Sequence, residues 1–234
     1  MKLEICASNY QSALNAELGG ADRIELCRDL YLDGLTPDLS TMRAVMEKLS
    51  IPVFVLIRPR PGDFVYNQQE FTEMLNTIEL AKGLGCHGIV SGVLKKDDSI
   101  DSIRTKKLVE ASSPLPFTFH RAFDGIIDHT KGIEILADIG VERVLTSLGF
   151  NSAVEAITRL KGLQQKVEDR LIVMPGGGVM PDHVTDFKKA GLHEIHSSAR
   201  LRGISGDLSG ANHEIVSNLQ QIKTFRNLID TING

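Results

Sequence analysis

Histidine, arginine and aspartate follow one short apolar segment of the chain. Phe117–Phe119 are strand-forming residues, and His120, Arg121 and Asp124 come shortly after them. An imidazole titrates near neutral pH and can act as a general acid or base, while a guanidinium can bind a carboxylate or phosphate. Such clusters at the carboxyl ends of strands commonly form active sites in chains that alternate strands with helices. The alternative is that His120 and Arg121 only satisfy carbonyl groups of the loop.

Two cysteines have the placement of metal ligands. Cys6 and Cys27 end the first two predicted strands at equivalent positions, each preceded by glutamate and one apolar residue. Neighbouring parallel strands lie about 4.8 Å apart, so two inward thiols could share one ion. Paired sulfur ligands suit Cu(I) better than Zn(II), which prefers four ligands. The alternative is that both thiols only pack, as buried free cysteines often do. Cys86, which precedes the fourth strand, is predicted to be structural.

The ends of the last two predicted strands carry groups that bind anions. Three consecutive glycines follow the seventh strand, where converging backbone N–H groups can hold a phosphate, and a serine and an arginine end the eighth. The predicted anion-binding residues are Gly176, Gly177, Gly178, Ser198 and Arg200, with Arg58 after the third strand assisting them. A purely steric role for the glycines is the alternative.

These residues are positioned by a regular alternation of strands and helices. The predicted strands are Leu3–Cys6, Arg23–Cys27, Pro52–Arg58, Gly88–Ser91, Phe117–His120, Arg143–Ser147, Leu171–Met174 and Glu194–Ser197. Amphipathic segments lie between them, and Ser8 is predicted to cap the first helix. Eight such units close most simply into a (β/α)8 barrel, the TIM-barrel fold, as a single α/β domain over residues 1–234. The alternative is an open doubly wound sheet, although no Gly-x-Gly-x-x-Gly follows the first strand. The glycine-rich loop from Arg202 to Ala211 is predicted to be mobile.

Strand side chains alternate between the two faces of a sheet, which predicts the residues inside the barrel. The inward residues are predicted to be Glu4, Cys6, Arg23, Glu25, Cys27, Arg58, Thr118 and His120. Buried charges are costly unless they are paired, so Glu4 and Glu25 are expected to neutralise Arg23 or Arg58. His120 and Glu25 are the acid–base candidates if the protein is an enzyme. A buried ion-pair network without chemistry is the alternative.

Composition excludes several classes of protein. The net charge of -4 gives no basis for nucleic-acid binding, and no apolar run reaches the roughly 20 residues of a membrane span. Three cysteines, an odd number, argue against a disulfide framework and for a reducing compartment. Lys2 and Glu4 lie where a signal peptide would be apolar, so a cytoplasmic location is expected.

Motifs along nearly the whole chain resemble those of the CutC copper homeostasis family. The matching segments are Gly19–Cys27, Gly34–Pro37, Ile57–Arg60, Gly62–Tyr66, Thr118–Asp124, Leu145–Ser147, Met174–Gly178 and His196–Arg200. The resemblance implies a (β/α)8 barrel, a cytoplasmic homo-oligomer (a dimer or tetramer), and a role in copper tolerance or trafficking. It also implies Cu(I) binding by Cys6 and Cys27, the cysteines that end the first two strands. The chain departs from the family at Leu148, because glycine usually follows Thr-Ser directly.

Two functions are therefore predicted. The first is a non-enzymatic copper protein of the CutC type that holds Cu(I) between Cys6 and Cys27. The second is a lyase, isomerase or hydrolase that acts on a small phosphorylated or carboxylated metabolite. Neither function requires an organic cofactor, a nucleic-acid partner or a membrane.

Overall fold

Every strand in the described part of the chain runs parallel to its neighbours. The computed structural model describes residues 1–200 and 216–233, so the loop from Arg202 to Ala211 lies outside the described residues. The strands are β1 Lys2–Ala7, β2 Arg23–Leu26, β3 Val53–Leu56, β4 Gly88–Ser91, β5 Phe117–Phe119, β6 Arg143–Thr146, β7 Ile172–Pro175 and β8 Glu194–Ser197. The eight predicted strands are confirmed, with boundaries that shift by one or two residues at several ends.

Helices follow the strands in the order expected of a βα repeat. They are α1 Tyr10–Leu18, α2 Leu39–Lys48, α3 Gln68–Gly83, α4 Ser102–Ser112, α5 His129–Asp138, α6 Ile157–Val167, α7 Val184–Lys189 and α8 Leu219–Asn233. Asparagine or aspartate side chains cap several of them. Asn9, not Ser8, caps α1, because its Oδ1 accepts the N–H of Ser12 at 2.8 Å. Among the described residues, no helix is long and apolar enough to cross a membrane.

The sheet closes into a nearly complete barrel. Its strand order is β7-β6-β5-β4-β3-β2-β1-β8, so seven ladders join the eight strands. The eighth junction, between β7 and β8, is an isolated parallel bridge from Gly176 to His196. A hydrogen bond from Ser197 Oγ to the carbonyl of Val179 adds a second link at 2.9 Å. This architecture confirms the predicted (β/α)8 barrel.

Two separate apolar clusters reflect the two faces of the barrel wall. The larger cluster lies between strands and helices and includes Leu3, Ile5, Ile24 and Leu26. The smaller one lies inside the barrel and comprises Cys6, Cys27, Phe54, Leu56 and Val90, with Leu30 packed against them. Successive strand residues point to opposite faces, so this division confirms that Cys6 and Cys27 face inward. Both cysteines therefore lie in the interior near the carboxyl ends of their strands.

Candidate functional site

A network of buried ion pairs forms one layer of the barrel interior. Arg23 is paired through Nε with Glu4, and its Nη2 lies 2.5 Å from Oε2 of Glu194. Arg143 Nε lies 2.6 Å from the same oxygen. Burial alone would raise the pKa of Glu4, but Arg23 and His196 beside it hold that pKa below its usual range. The pairing predicted for Glu4 with Arg23 is confirmed.

Above this layer lies a group of four side chains that we call the thiol cluster: Cys6, Cys27, Glu25 and His196. The Sγ atoms of Cys6 and Cys27 are 3.6 Å apart. Cys6 Sγ also donates to Oε1 of Glu25 at 3.7 Å. The ligand atoms of Cys6, Glu25 and His196 all lie within 4.8 Å of one another. Sulfur, carboxylate and imidazole donors are thus brought together in one buried place.

Glu4 fixes the orientation of the His196 ring. Nδ1 of His196 lies 2.7 Å from Oε1 of Glu4, and Glu4 is itself held by Arg23. An ionised carboxylate accepts the Nδ1 proton, which leaves Nε2 for the side of Cys6. Burial alone would lower the pKa of His196, but hydrogen bonds to Cys6 and Glu4 raise it well above its usual value. A carboxylate that holds the far nitrogen in this way is the usual second-sphere support of a metal-binding histidine.

Glu25 is the least satisfied member of the thiol cluster. Its Oε2 is buried without a hydrogen-bond partner, and no described residue forms an ion pair with it. Burial raises the pKa of Glu25 to about 7, with the charge of His196 opposing the rise and Glu4 adding to it. The expectation that Glu25 neutralises Arg23 or Arg58 is therefore wrong. An unpaired buried carboxylate is stabilised by a proton or by a cation, so the donor set fits a metal ion.

The loop after β2 covers the two sulfurs. Gly34 has a φ of 83°, and a Cβ at this position would lie 3.6 Å from Cys27 Sγ and 3.0 Å from Leu56 Cδ2. A larger residue would be strained here and would press on Leu56. Hydrogen bonding to Cys27 and burial raise the pKa of Cys6, so both causes keep its thiol protonated when no ion is bound. The Cys6 sulfur is therefore buried and neutral in the protein without an ion.

Arg58 and His120 lie at the carboxyl ends of β3 and β5, separate from the thiol cluster. Arg58 donates through Nη1 to the carbonyls of Leu32 and Gly34 at 2.7 and 2.8 Å. Its Nη2 donates to the carbonyl of Gly62 at 3.0 Å. Arg58 thus joins two loops and forms no ion pair with Glu4 or Glu25. The part of the expectation that placed Arg58 in the interior network is wrong.

The His120 ring is buried and neutral. Its Nδ1 accepts the N–H of Ala122 at 3.2 Å, and its Nε2 is buried without a partner. Burial, assisted by the charge of Arg58, lowers the pKa of His120 to about 3. A histidine with this pKa does not accept a proton at neutral pH. Its remaining N–H can still donate a hydrogen bond.

Arg121 and Asp124 connect β5 to β6 at the same end of the barrel. Arg121 Nε lies 2.8 Å from Oδ2 of Asp124, and its Nη2 donates to Ser147 Oγ at 3.1 Å. A Cβ on Gly177 would lie 3.4 Å from the Arg121 guanidinium, so this arginine borders the glycine turn after β7. Sequence reasoning did not include Arg121 among the anion-binding residues. Its position after β5, across from β7, is visible only once the barrel is closed.

The glycine turn itself has a partly steric explanation. A Cβ on Gly176 would collide with Leu145 and His196, and Gly177 and Gly178 both have positive φ values, 107° and 62°. On the neighbouring strand, Arg200 Nε donates to Ser198 Oγ at 3.1 Å. The predicted anion-binding residues of β7 and β8 therefore share one rim of the barrel. Arg58 follows β3, which is several strands away from them.

His196 is the cluster residue that sequence reasoning missed. The signal was present, because Glu194 and His196 alternate with Ile195 in the same way that Glu4 and Cys6 alternate with Ile5. Cys86, the third cysteine, is buried outside this group, and burial raises its pKa to about 11. Its predicted structural role is consistent with that position.

Comparisons with known proteins agree on one family. The model of the CutC family matches residues 1–201. The human copper homeostasis protein cutC homolog is 43% identical over 205 residues, which are 87% of this chain and 75% of the human protein. A CutC family protein from Salmonella schwarzengrund is 44% identical over 197 residues, covering 84% of this chain and 79% of that protein.

Solved structures give the same result. A candidate copper homeostasis protein CutC from Streptococcus agalactiae superposes with a TM-score of 0.79 at 31% identity, covering 85% of this chain and 98% of the other. A 3-hexulose-6-phosphate synthase has a TM-score of 0.62 at 19% identity, covering 97% of this chain and 99% of the other, and shares the fold alone. With the family match spanning residues 1–201, the chain belongs to the CutC family.

Proposed function

We propose that this protein takes part in copper homeostasis by binding Cu(I) at Cys6 and Cys27. The observation that carries the proposal is a pair of buried thiols with their sulfurs 3.6 Å apart. Thiolates are soft ligands that select Cu(I) over harder divalent ions, and a buried pocket protects Cu(I) from oxidants. The family's relatives named for copper homeostasis support the same assignment.

The sulfur separation favours a bent arrangement. Two metal–sulfur bonds of about 2.3 Å would place the sulfurs about 4.6 Å apart if they were in line. The separation in this protein is 3.6 Å, which corresponds to an angle near 100° at the ion. A bent arrangement leaves one side of the ion open, and Nε2 of His196 and Oε2 of Glu25 are the nearest additional donors. A linear S–Cu–S arrangement would instead require the two sulfurs to move about 1 Å further apart.

Binding of Cu(I) must displace protons from the cluster. The pKa of Cys6 is raised by Cys27 and by burial, so its thiol has to lose a proton before the sulfur can bind. Copper affinity is therefore expected to rise with pH. The unpaired carboxylate of Glu25 would be stabilised by the bound cation at the same time.

A Cu(I) competition titration against a chromophoric chelator tests the proposal. The wild type and the variant Cys86→Ser are expected to bind a single Cu(I) ion per chain with equal affinity, because Cys86 is buried outside the cluster. The double variant Cys6→Ser, Cys27→Ser is expected to lose stoichiometric binding. Retention of wild-type affinity in the double variant would refute the proposal.

A second candidate function is an enzyme that acts on a small anionic metabolite. Its specific support is Arg121, which is 45% exposed and borders the glycine turn at Gly177. Basic groups at the carboxyl ends of barrel strands are the usual anion-binding machinery of this fold. In this role Gly176–Gly178, Ser198 and Arg200 would hold the anion, and Glu25 would be the acid–base group.

Thermal shifts with a library of phosphorylated and carboxylated metabolites test the second candidate. A hit should weaken in the variant Arg121→Gln and should not change in Arg159→Gln, an arginine of the outer helix α6. If no compound raises the melting temperature of the wild type, the second candidate is rejected and the copper proposal is unaffected.

A further inference from the structure

Arg58 is a buried cation without an anionic partner in the described part of the chain. It is 4% exposed, and its three hydrogen bonds all go to backbone carbonyl groups. No carboxylate in residues 1–200 or 216–233 forms an ion pair with Arg58. The Nε of Arg58 is also buried without a hydrogen-bond partner. Carbonyl groups orient a guanidinium but do not neutralise it. A buried positive charge of this kind is costly unless an anion compensates it.

Two other buried polar atoms without a partner lie near Arg58, and one of them, on His120, is beside an aromatic ring that Arg58 also contacts. The guanidinium carbon of Arg58 is 5.0 Å from the centre of the Phe64 ring, and the His120 ring centre is 4.8 Å from it. His120 Nε2 and Tyr66 Oη are both buried without a partner. Burial raises the pKa of Tyr66 to about 12, while the charge of Arg58 and a side-chain contact with it that falls short of hydrogen-bond geometry oppose part of that rise, so Arg58 and Tyr66 are near neighbours.

All three atoms can donate a hydrogen bond. His120 accepts the N–H of Ala122 at Nδ1, so the neutral ring carries its proton on Nε2. Arg58 Nε always carries a proton, and the hydroxyl of Tyr66 can turn its proton towards an acceptor. Gly92 leaves space for the His120 ring, because a Cβ there would lie 2.7 Å from Nδ1. The group therefore lacks an acceptor, not a donor.

We propose that Arg58, Tyr66 and His120 bind the carboxylate group of a small organic acid at the carboxyl ends of β3 and β5. This inference rests on the second candidate function, for which it names the substrate class, and it does not depend on copper. Arg58 carries the one unbalanced positive charge among these side chains, because His120 is neutral and Arg60 is paired with Asp63 and Glu70, so a monoanion balances it. A phosphate dianion would leave an excess negative charge in a buried place. The Phe64 ring offers an apolar surface to the carbon skeleton of the acid.

Binding of simple carboxylates to the full-length protein tests the inference. The probes are sodium acetate, propionate and butyrate, with inorganic phosphate as a second arm and sodium chloride at equal ionic strength as the control. We expect the carboxylates to raise the melting temperature saturably, and we expect phosphate and chloride not to do so. The ¹⁵N resonance of His120 Nε2 should shift with the same saturation curve, which a general salt effect would not produce.

Tyr66→Phe is the informative variant because Arg58 also holds two loops and its loss could unfold the protein. Removing an unpartnered hydroxyl should not destabilise the unliganded protein, while carboxylate affinity should fall about tenfold through loss of a hydrogen bond to a charged group. Tyr31→Phe is the matched control, because Tyr31 is 64% exposed. This variant should bind carboxylates with the affinity of the wild type.

Two results would overturn the inference. One is a carboxylate response no larger than that to chloride, and the other is equal affinity in Tyr66→Phe and the wild type. If phosphate binds instead and its effect is lost in Arg121→Gln, the second candidate function stands and the Arg58 site is rejected. A crystal structure soaked with propionate that holds only ordered water on the three atoms would also reject it.

Discussion

Glu25 is the residue whose chemistry depends most on its surroundings. Its carboxyl is completely enclosed, it receives only a weak hydrogen bond from Cys6, and Oε2 has no partner. Burial raises its pKa from 4.5 to about 7, so near neutral pH the charged form is present at a cost to folding. A group that destabilises the protein in this way is typical of a functional site.

The first prediction concerns the pH dependence of stability in Glu25→Gln. The raised pKa means that the folded state binds more protons than the unfolded state between about pH 4.5 and 7, so Glu25 lowers stability as pH rises through this range. Glu25→Gln should therefore raise the free energy of unfolding by roughly 1–3 kcal/mol at pH 8, and by much less at pH 5. Urea denaturation at both pH values measures the difference.

Glu73→Gln is the control for this prediction, since Glu73 is exposed on α3. Its stability relative to the wild type should change little between pH 5 and pH 8. If Glu25→Gln is equally stabilising at both pH values, the carboxyl is not protonated in the folded state and its role in the thiol cluster needs another explanation. Loss of stability at pH 8 would indicate that Glu25 has an ionic partner.

At the scale of elements, the ion-pair layer joins strands that are distant in the chain. Arg23 of β2 bridges Glu4 of β1 and Glu194 of β8, and Glu194 also binds Arg143 of β6. The ring of Phe54 on β3 lies 5.1 Å from the Arg23 guanidinium and 5.5 Å from that of Arg143. The layer therefore holds the two sides of the barrel together through its interior.

The second prediction compares two glutamates that bind the same arginine. Glu194→Gln removes one of the two buried carboxylates of the layer and leaves Arg23 and Arg143 with an excess buried positive charge that Glu4 alone does not balance, so it should cost about 3–5 kcal/mol of stability. Glu142 is the outer partner of Arg143, and the Glu142 side chain is 48% exposed. Glu142→Gln should therefore cost less than about 1 kcal/mol. Chemical denaturation at pH 7 measures both, and equal losses would show that the interior layer contributes no more than a surface pair.

How much of the fold and of the candidate site the sequence predicts depends on how far apart in the chain the contacting residues lie. Alternation within a strand correctly placed Glu4, Cys6 and Cys27 inside the barrel, because that rule needs only neighbouring residues. It could not supply Glu194 as the partner of Arg23, since the stagger between strands is not encoded locally. The same limit explains why Glu25 was expected to be paired, whereas the inward placement of His196 follows from its alternation with Ile195 within β8.

Local signals had their own limit at helix ends. Ser8 and Asn9 are both good capping residues, and Asn9 is the one at the N-cap position, with an extended φ of -161°. At Leu148 the chain takes a φ of 55°, a region that favours glycine, so this turn forms at a cost in backbone strain. Burial of the Leu148 side chain offsets that cost, which the sequence pattern alone does not reveal.

At the scale of the whole molecule, the junction between β7 and β8 is the weakest part of the barrel wall. Successive N–H groups of a strand point to alternate neighbours, and Gly176 donates to Thr146 of β6 at 3.0 Å. The preceding position, Pro175, therefore faces β8, where proline has no N–H to donate. The remaining links are the isolated bridge between Gly176 and His196 and the hydrogen bond from Ser197 Oγ to the carbonyl of Val179. Because His196 also belongs to the thiol cluster, the weakest junction of the barrel borders the proposed copper site.

Hydrogen exchange within β8 provides the final prediction. Lys2 N donates to the carbonyl of His193, so alternation directs the N–H groups of Ile195 and Ser197 towards β1 and that of His196 towards β7. The β1–β8 ladder is continuous, while the bridge to β7 has no adjacent ladder bonds to support it. After correction for intrinsic rates, the His196 amide should exchange faster than those of Ile195 and Ser197, because an isolated bond opens in smaller fluctuations. Native-state exchange followed by NMR measures all three in one strand, with the two β1-facing amides as internal controls. Equal protection of the three would mean that the barrel opens only as a unit, and that an ion reaching the buried thiols must enter by another path.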